Sequence, residues 1–296
     1  MTELYRRMVK DMQLRGFAER TQETYLREVR KLCEHVDKSP GKITEEELRE
    51  YFLHLKNEHA FSASSMKIAY CGVKFFFTFT LKRKWSTLAL VRARKEVRLP
   101  VVLEVEEVRR IIGAADGLHN RAFFWTAYSC GLRLQEAVNL QIKDVDGDRM
   151  MLHVHRGKGA RDRYVPLPKS TLRGLRAYWK THRNPVWLFP FLGHAGNQGP
   201  TATRPMNSRS LQDALRRVVT GLSFKKRVTM HTLRHSYATH LLEAGVGLRL
   251  LQQYLGHKSM ATTFIYCHLT KMGHDAARSA IDGLMDRKGG GNGDAR

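Results

Sequence analysis

The sequence predicts a mainly α-helical chain with a small β-sheet, arranged as an N-terminal helical domain followed by an α+β domain. Three observations carry that reading. Apolar residues recur about every 3.6 positions before Val91 and again in the last third of the chain. The period drops to two only between Met150 and Leu167. A basic stretch from Val91 ends at Pro100, which disfavours helix at Leu99. With 296 residues and 42% apolar content the chain can bury two ordinary cores. The expected division is a helical domain over 1–91, a linker over 92–100, an α+β domain over 101–287 and a disordered glycine-rich tail over 288–296.

In the first domain, Thr21 is placed to cap a helix with Tyr25, Val29, Leu32 and Val36 on one face. Thr44 and Glu47 form a capping-box pattern ahead of Leu48, Tyr51, Phe52 and Leu55, the i, i+3, i+4, i+7 stripe of a half-buried helix. Ser62 to Ser65 opens a further helix with Ala69, Tyr70, Val73 and Phe77 inward, and the aromatic run Phe75–Phe79 reads as buried helix, being too short to span a membrane.

The second domain opens with a helix from about Glu104 to Ala115, then an apolar helix ending near Cys130-Gly131, where glycine suits a helix terminus. Arg133 falls at the junction that follows. Two alternating segments, Met150–His155 and Asp162–Leu167, flank Gly157-Lys158-Gly159 and predict a β-hairpin with Lys158 on its turn. Residues 182–210, rich in Pro, Gly, Thr and Asn, predict a long surface loop around the apolar piece Val186–Phe191. Helices are expected again over His231–Ala244, Leu248–Leu255 and Ala276–Met285, with Gly256 stopping the second.

Charge and cysteine content narrow the function. Lys and Arg number 51 against 28 Asp and Glu, a net +23, which points to a polyanion partner, nucleic acid before an anionic membrane. The excess falls on both sides of the Leu99–Pro100 boundary. Cys33, Cys71, Cys130 and Cys267 are scattered, without the paired spacing of a zinc knuckle or a disulfide framework, so a reducing cytoplasm is the expected compartment. No apolar run approaches a membrane span, and the N-terminus opens on charged amphipathic sequence.

Six residues in five short strings fit one reaction. They are Arg133 in Gly-Leu-Arg, Lys158 in the hairpin turn, His231 and Arg234 in His-Thr-Leu-Arg, His257 in Leu-Gly-His, and Tyr266 in Thr-Phe-Ile-Tyr. A tyrosine hydroxyl attacking a DNA phosphodiester creates a five-coordinate phosphorus with added negative charge. Planar, permanently charged guanidinium groups suit its equatorial oxygens, so Arg133 and Arg234 form the expected clamp. On a helix His231 and Arg234, three apart, share a face and can address one phosphate. Phenol ionises near pH 10, so Tyr266 must shed its proton during attack or sit among positive charges that lower its pKa. The departing sugar oxygen needs a proton, which Lys158 could supply. Glu136 is expected to orient Arg133. A phosphotyrosine ester stores the energy of the broken linkage, so resealing needs neither ATP nor metal. The chain carries no Walker loop and no His-Glu-x-x-His. His231, His235 and His240 do not complete a zinc set, because His235 and His240 face differently on a helix. No metal or other cofactor is expected.

These strings resemble the tyrosine recombinase, or phage-integrase-type, family, including its Xer-like and integron-integrase-like members, strongly from Leu99 to Thr270 and by helical pattern before that. The resemblance implies a helical core-binding domain and a catalytic domain closing as a clamp around DNA. It also implies catalytic roles for Arg133, Lys158, His231, Arg234, His257 and nucleophile Tyr266, 3′-phosphotyrosyl intermediates, and strand exchange through a Holliday junction. The expected partners are double-stranded recombination sites, a homo-tetramer assembled on them, and accessory proteins; the expected role is site-specific recombination for a mobile element. Xer-type dimer resolution, type IB topoisomerase-like relaxation and a non-catalytic DNA-binding role are the competing readings. Gln135, where a small hydroxyl residue is frequent, and the long loop after Trp187 depart from the commonest pattern.

Overall fold

The computed structural model describes residues 3–59, 61–91, 99–155, 162–193, 196–270, 278–279 and 281–282. The chain divides into two compact units, Met1–Arg98 and Leu99–Arg296. Residues 92–98 of the linker expected over 92–100, and the glycine-rich tail, lie outside the described residues.

The first unit is helical: α1 (Glu3–Leu14), α2 (Glu19–Val36), α3 (Glu45–Asn57), α4 (Ala63–Phe75) and the short α5 (Thr87–Leu90). Thr44 and Glu47 cap α3 reciprocally: the Thr44 hydroxyl accepts from the Glu47 N–H at 3.3 Å and the Glu47 carboxylate from the Thr44 N–H at 2.9 Å. Leu48, Tyr51, Phe52 and Leu55 are buried as the stripe requires. Ser62 caps α4 by accepting from the Ser65 N–H at 3.1 Å. Thr21 is not a cap. Helix α2 begins earlier, after Ala18, because the Gln22 side chain reaches back to the Phe17 carbonyl at 2.7 Å and the Thr21 N–H already bonds to Ala18. The aromatic run does not continue α4 as regular helix; Phe76–Thr80 widens into a π-helical turn. Phe75, Phe76 and Phe77 are buried, whereas Phe79 stays exposed with the Arg15 guanidinium 3.7 Å above its ring.

The second unit contains α6 (Val105–Gly113), α7 (Gly117–Ser129), α8 (Leu134–Val138), then strands β1 (Val145–Asp146), β2 (Met151–Val154) and β3 (Arg163–Pro166). There follow α9 (Lys169–His182), α10 (Ser208–Gly221), α11 (Met230–Glu243), α12 (Leu248–Leu255) and α13 (Ala261–Phe264). The expected hairpin is present as β2 and β3, with Leu152 opposite Val165 and Val154 opposite Arg163, and β1 adds a third antiparallel strand. Leu152, Val154 and Val165 enter the core that also holds Phe123, Phe124 and Phe189, while His153 and Tyr164 lie on the opposite face.

The stretch between α9 and α10 is tied inward rather than lying on the surface. Leu188 and Phe189 are buried. Buried Asn184 organises it, accepting from the Val186 and Trp187 N–H groups at 3.0 and 2.7 Å and donating to the Gly199 and Ala202 carbonyls at 2.8 and 3.0 Å. A side-chain amide thus supplies the backbone pairing that a strand would have supplied. Of the helix expected over 276–285, residues 278–279 and 281–282 are described and helical. Among the described residues no helix is long and apolar enough to cross a membrane.

Candidate active site

The turn between α7 and α8 aims Arg133. Gly131 sits at φ +60°, and a Cβ there would lie 2.3 Å from the Tyr237 ring, so both backbone angle and space require glycine. Arg133 then precedes α8, its backbone N–H donating to Glu136 Oε2 at 2.9 Å and its guanidinium to Oε1 at 2.7 Å. Arg163 of β3 donates to the same carboxylate through two nitrogens at 3.0 and 2.7 Å, and to the Tyr254 carbonyl at 2.7 Å. Arg234 brings a third guanidinium to 3.7 Å from Glu136 Oε2. Burial by itself raises the Glu136 pKa, but the Arg163 hydrogen bonds and charge, the Arg133 N–H and the Arg234 charge outweigh it and hold the carboxyl down at about 2. Glu136 therefore does more than orient Arg133. It is the anion around which three arginines gather.

Thr229 caps α11, its hydroxyl accepting from the Thr232 N–H at 3.3 Å, and the helix carries His231, Arg234 and His235. Arg234 is 4% exposed and held from two sides, donating to the Gly131 carbonyl at 2.6 Å and to the Leu255 carbonyl. Burial first, then the Arg133 charge, lowers its pKa to about 9, so it remains charged at neutral pH. His231 is exposed, and burial of part of its ring followed by the Arg234 and Arg133 charges lowers its pKa.

Gly256, at φ +58°, ends α12 and turns the chain into His257. His257 Nε2 lies 3.4 Å from an Arg234 nitrogen that can only donate, so Nε2 accepts and Nδ1 carries the proton shared with Thr263 Oγ1 at 2.9 Å. Tyr266 follows α13 and is 1% exposed, its ring parallel to that of His257 at 6.2 Å and its hydroxyl 3.0 Å from His235 Nδ1. Of the two routes expected for Tyr266, loss of its proton during attack or a pKa lowered by surrounding cations, the balance of burial and charge opposes the second. Burial raises the pKa and outweighs the opposing charges of Arg234 and Arg133. Burial, followed by the His231 and Arg234 charges, brings His235 to about 4; burial with the Arg234 charge does the same for His257.

The structure thus gathers five of the six candidate residues. Arg133 and Arg234 meet through Glu136; Arg234 reaches His257; His257 faces Tyr266; and His231 stands 6.4 Å, ring to ring, from His235. Lys158 lies outside the described residues. Two contributors exceed the sequence reading. His235 touches the tyrosine hydroxyl, a contact hinted at only by its place beside Arg234. Arg163, which lies within the predicted second hairpin strand and has no role assigned by the sequence, is a principal partner of Glu136. His240 lies elsewhere, between the Tyr128 hydroxyl at 2.8 Å and the Leu103 carbonyl at 2.9 Å.

Residues 101–272 match the phage integrase family and residues 4–87 its N-terminal SAM-like domain. A putative integrase/recombinase of Sinorhizobium fredii is 39% identical over 270 residues, spanning 91% of this chain and 85% of that one. The chain belongs to the phage integrase family. It is a tyrosine-type, site-specific DNA recombinase, as the strings around Arg133 and Tyr266 led one to expect. Among solved structures, this recombinase resembles the crystal structure of XerA recombinase, with a TM-score of 0.53 and 27% identity over 94% of this chain and 98% of that one. A lambda integrase dimer bound to a COC′ core site has a TM-score of 0.70 at 19% identity, covering 87% and 91%, and so shares the fold.

Proposed function

We propose that this recombinase cleaves and rejoins double-stranded DNA at specific sites through a 3′-phosphotyrosyl bond to Tyr266, exchanging strands by way of a Holliday junction on behalf of a mobile element. The observation that carries the proposal is the unbroken series of contacts Arg133–Glu136–Arg234–His257–Tyr266, which puts two guanidinium groups and two imidazoles, His235 and His257, around one tyrosine. Attack by the Tyr266 oxygen forms the new P–O bond as the bond to the 5′ oxygen breaks; the phenolic proton leaves the tyrosine and Lys158 supplies a proton to the departing oxygen. Arg133 and Arg234 neutralise the equatorial oxygens, joined by His231 and His257. Attack by a 5′ hydroxyl from another strand reverses the step, so the chemistry needs no ATP. The active assembly is a homo-tetramer on paired DNA sites, with accessory proteins setting direction.

The experiment is to incubate wild type and Tyr266→Phe with fragmented DNA of the source genome in EDTA, denature, and sequence the DNA that remains attached to protein. Adducts at one sequence in wild type alone are expected. Adducts that persist in Tyr266→Phe, or an absence of adducts on DNA carrying the protein's own bound site, would overturn the nucleophile assignment.

A further inference from the structure

Among the described residues, one group of side chains outside the arginine–tyrosine cluster brings metal-binding donors together. We propose that Asp144, His153 and His155 form a binding site for a divalent transition cation of the zinc class, braced by Asp162.

His153 and His155 are two apart on the extended backbone of β2 and its end, so both rings leave the same face of the sheet, opposite buried Leu152 and Val154; their centroids are 3.9 Å apart. Asp144 ends the turn Ile142–Asp144 that precedes β1 and is 2% exposed. One of its oxygens, Oδ2, accepts from the Gln141 N–H at 2.8 Å, which fixes the carboxylate, and Oδ1 faces His155 Nε2 at 2.5 Å. One donor atom from each of Asp144, His153 and His155 lies within 4.8 Å of the others. Donors around tetrahedral zinc, with bonds of about 2.0–2.1 Å, stand about 3.3 Å apart, so small side-chain rotations close the site. Two imidazoles and a carboxylate suit zinc, nickel or copper rather than magnesium or calcium.

The surroundings are those of a supported site. Asp162 Oδ2 lies 3.5 Å from His155 Nδ1, so with Nε2 on the cation the other ring nitrogen donates to a carboxylate, the arrangement that orients metal-binding histidines. Tyr164 stacks on His153 at 4.6 Å and 13°, fixing that ring. Charge argues in the same direction. In a chain of net +23, Asp144 is buried with a histidine ring as its neighbour, and Asp144 with Asp162 would balance one divalent cation. A bound cation would link His155 to Asp162, the residues that bracket 156–161 and hence Lys158. Asp144 and His155 border a pocket of about 650 Å³ that reaches Arg133 and Glu136. The cation would take no part in phosphoryl transfer.

The test uses full-length protein freed of metal by chelator, titrated with Co²⁺ and Zn²⁺ alone. One Co²⁺ per chain with the visible absorption of a four-coordinate site is expected, displaced by Zn²⁺, with Tm raised by roughly 5 °C or more at a hundredfold excess over Kd. His153→Ala/His155→Ala and Asp144→Asn should each weaken binding at least tenfold. Should both fail to fold by far-UV circular dichroism, the single His153→Gln decides. Absence of stoichiometric binding in wild type, or binding that survives unchanged in a folded variant, would overturn the proposal and leave the cluster a hydrogen-bonded Asp–His network.

Discussion

Replacing Glu136 with Gln keeps the shape of the side chain and removes the charge that three guanidinium groups share. The carboxyl is 6% exposed and sits at about 2 in the fold against an ordinary 4.5. A difference of about 2.5 pKa units at about 1.36 kcal/mol each gives roughly 3 kcal/mol of stabilisation at pH 7, the range found when one partner of a buried pair is removed. For a domain of this size that is a fall in Tm of about 6–12 °C. The sign with pH follows from the lowered pKa: the contribution is complete above about 4.5 and disappears as pH falls towards 2. Urea unfolding of wild type and Glu136→Gln at pH 7, 4 and 3 should therefore show a gap of roughly 3 kcal/mol that narrows only in the two acid series. A gap under about 1 kcal/mol at pH 7, or one that does not narrow in acid, would falsify the view that Glu136 is the electrostatic keystone of the arginine cluster.

Gly131→Ala must leave the left-handed region and clear the Tyr237 ring, and should cost at least about 2 kcal/mol while displacing Arg133; near-wild-type thermal unfolding and DNA cleavage would contradict this. His235→Ala removes the partner of the Tyr266 hydroxyl; adduct formation should slow about tenfold or more, the equivalent of one hydrogen bond, with DNA affinity retained, and an unchanged single-turnover rate would sink the idea. His235 and His257 both ionise near pH 4 in the fold, below their ordinary range. The unfolded chain takes up protons that the fold refuses, so stability should be full above about pH 6.5 and fall as pH drops towards 4. Urea midpoints at half-unit pH steps should show this slope and its flattening in His235→Gln/His257→Gln; parallel profiles for the two proteins would count against it.

The candidate site was legible where chemistry is written in short strings. Gly131-Leu-Arg133, His231-Thr-Leu-Arg234 and Leu255-Gly-His257 each set a residue at a helix end or on a helix face, so spacing along the chain translated into position. The Thr44–Glu47 cap was legible for the same reason, its partners being three residues apart. Contacts across long separations were not. Glu136 meets Arg163 across 27 residues, and His235 meets Tyr266 across 31. Asp144 meets His155 only because β1 and β2 fold the turn before β1 back onto the hairpin. Helix α9, left unassigned by the sequence pattern, contains Gly174 and declares itself through Leu172, Leu175 and Tyr178 packed in the core. The direction of the Tyr266 pKa shift was out of reach, because sequence counts the cations near a tyrosine but not how much water is removed from it.

That shift changes how activation must be understood. With its pKa raised by burial above that of an ordinary phenol, Tyr266 is protonated at pH 7. Under the nucleophile role proposed for Tyr266, nearby arginines therefore do not pre-form a phenoxide, and the proton would leave as the bond to phosphorus forms. The group in contact with that proton is His235, whose pKa of about 4 makes it a poor acceptor. Part of that weakness comes from the positive charges of His231 and Arg234. A phosphodiester held by the arginines brings a negative charge to the same place and opposes them, raising His235 towards the range in which it can accept the proton. DNA binding and tyrosine activation are then one event. Titrating His235 by histidine-selective NMR with and without a short duplex carrying the bound site should show its pKa rise on binding, and an unmoved or lowered value would separate the two events.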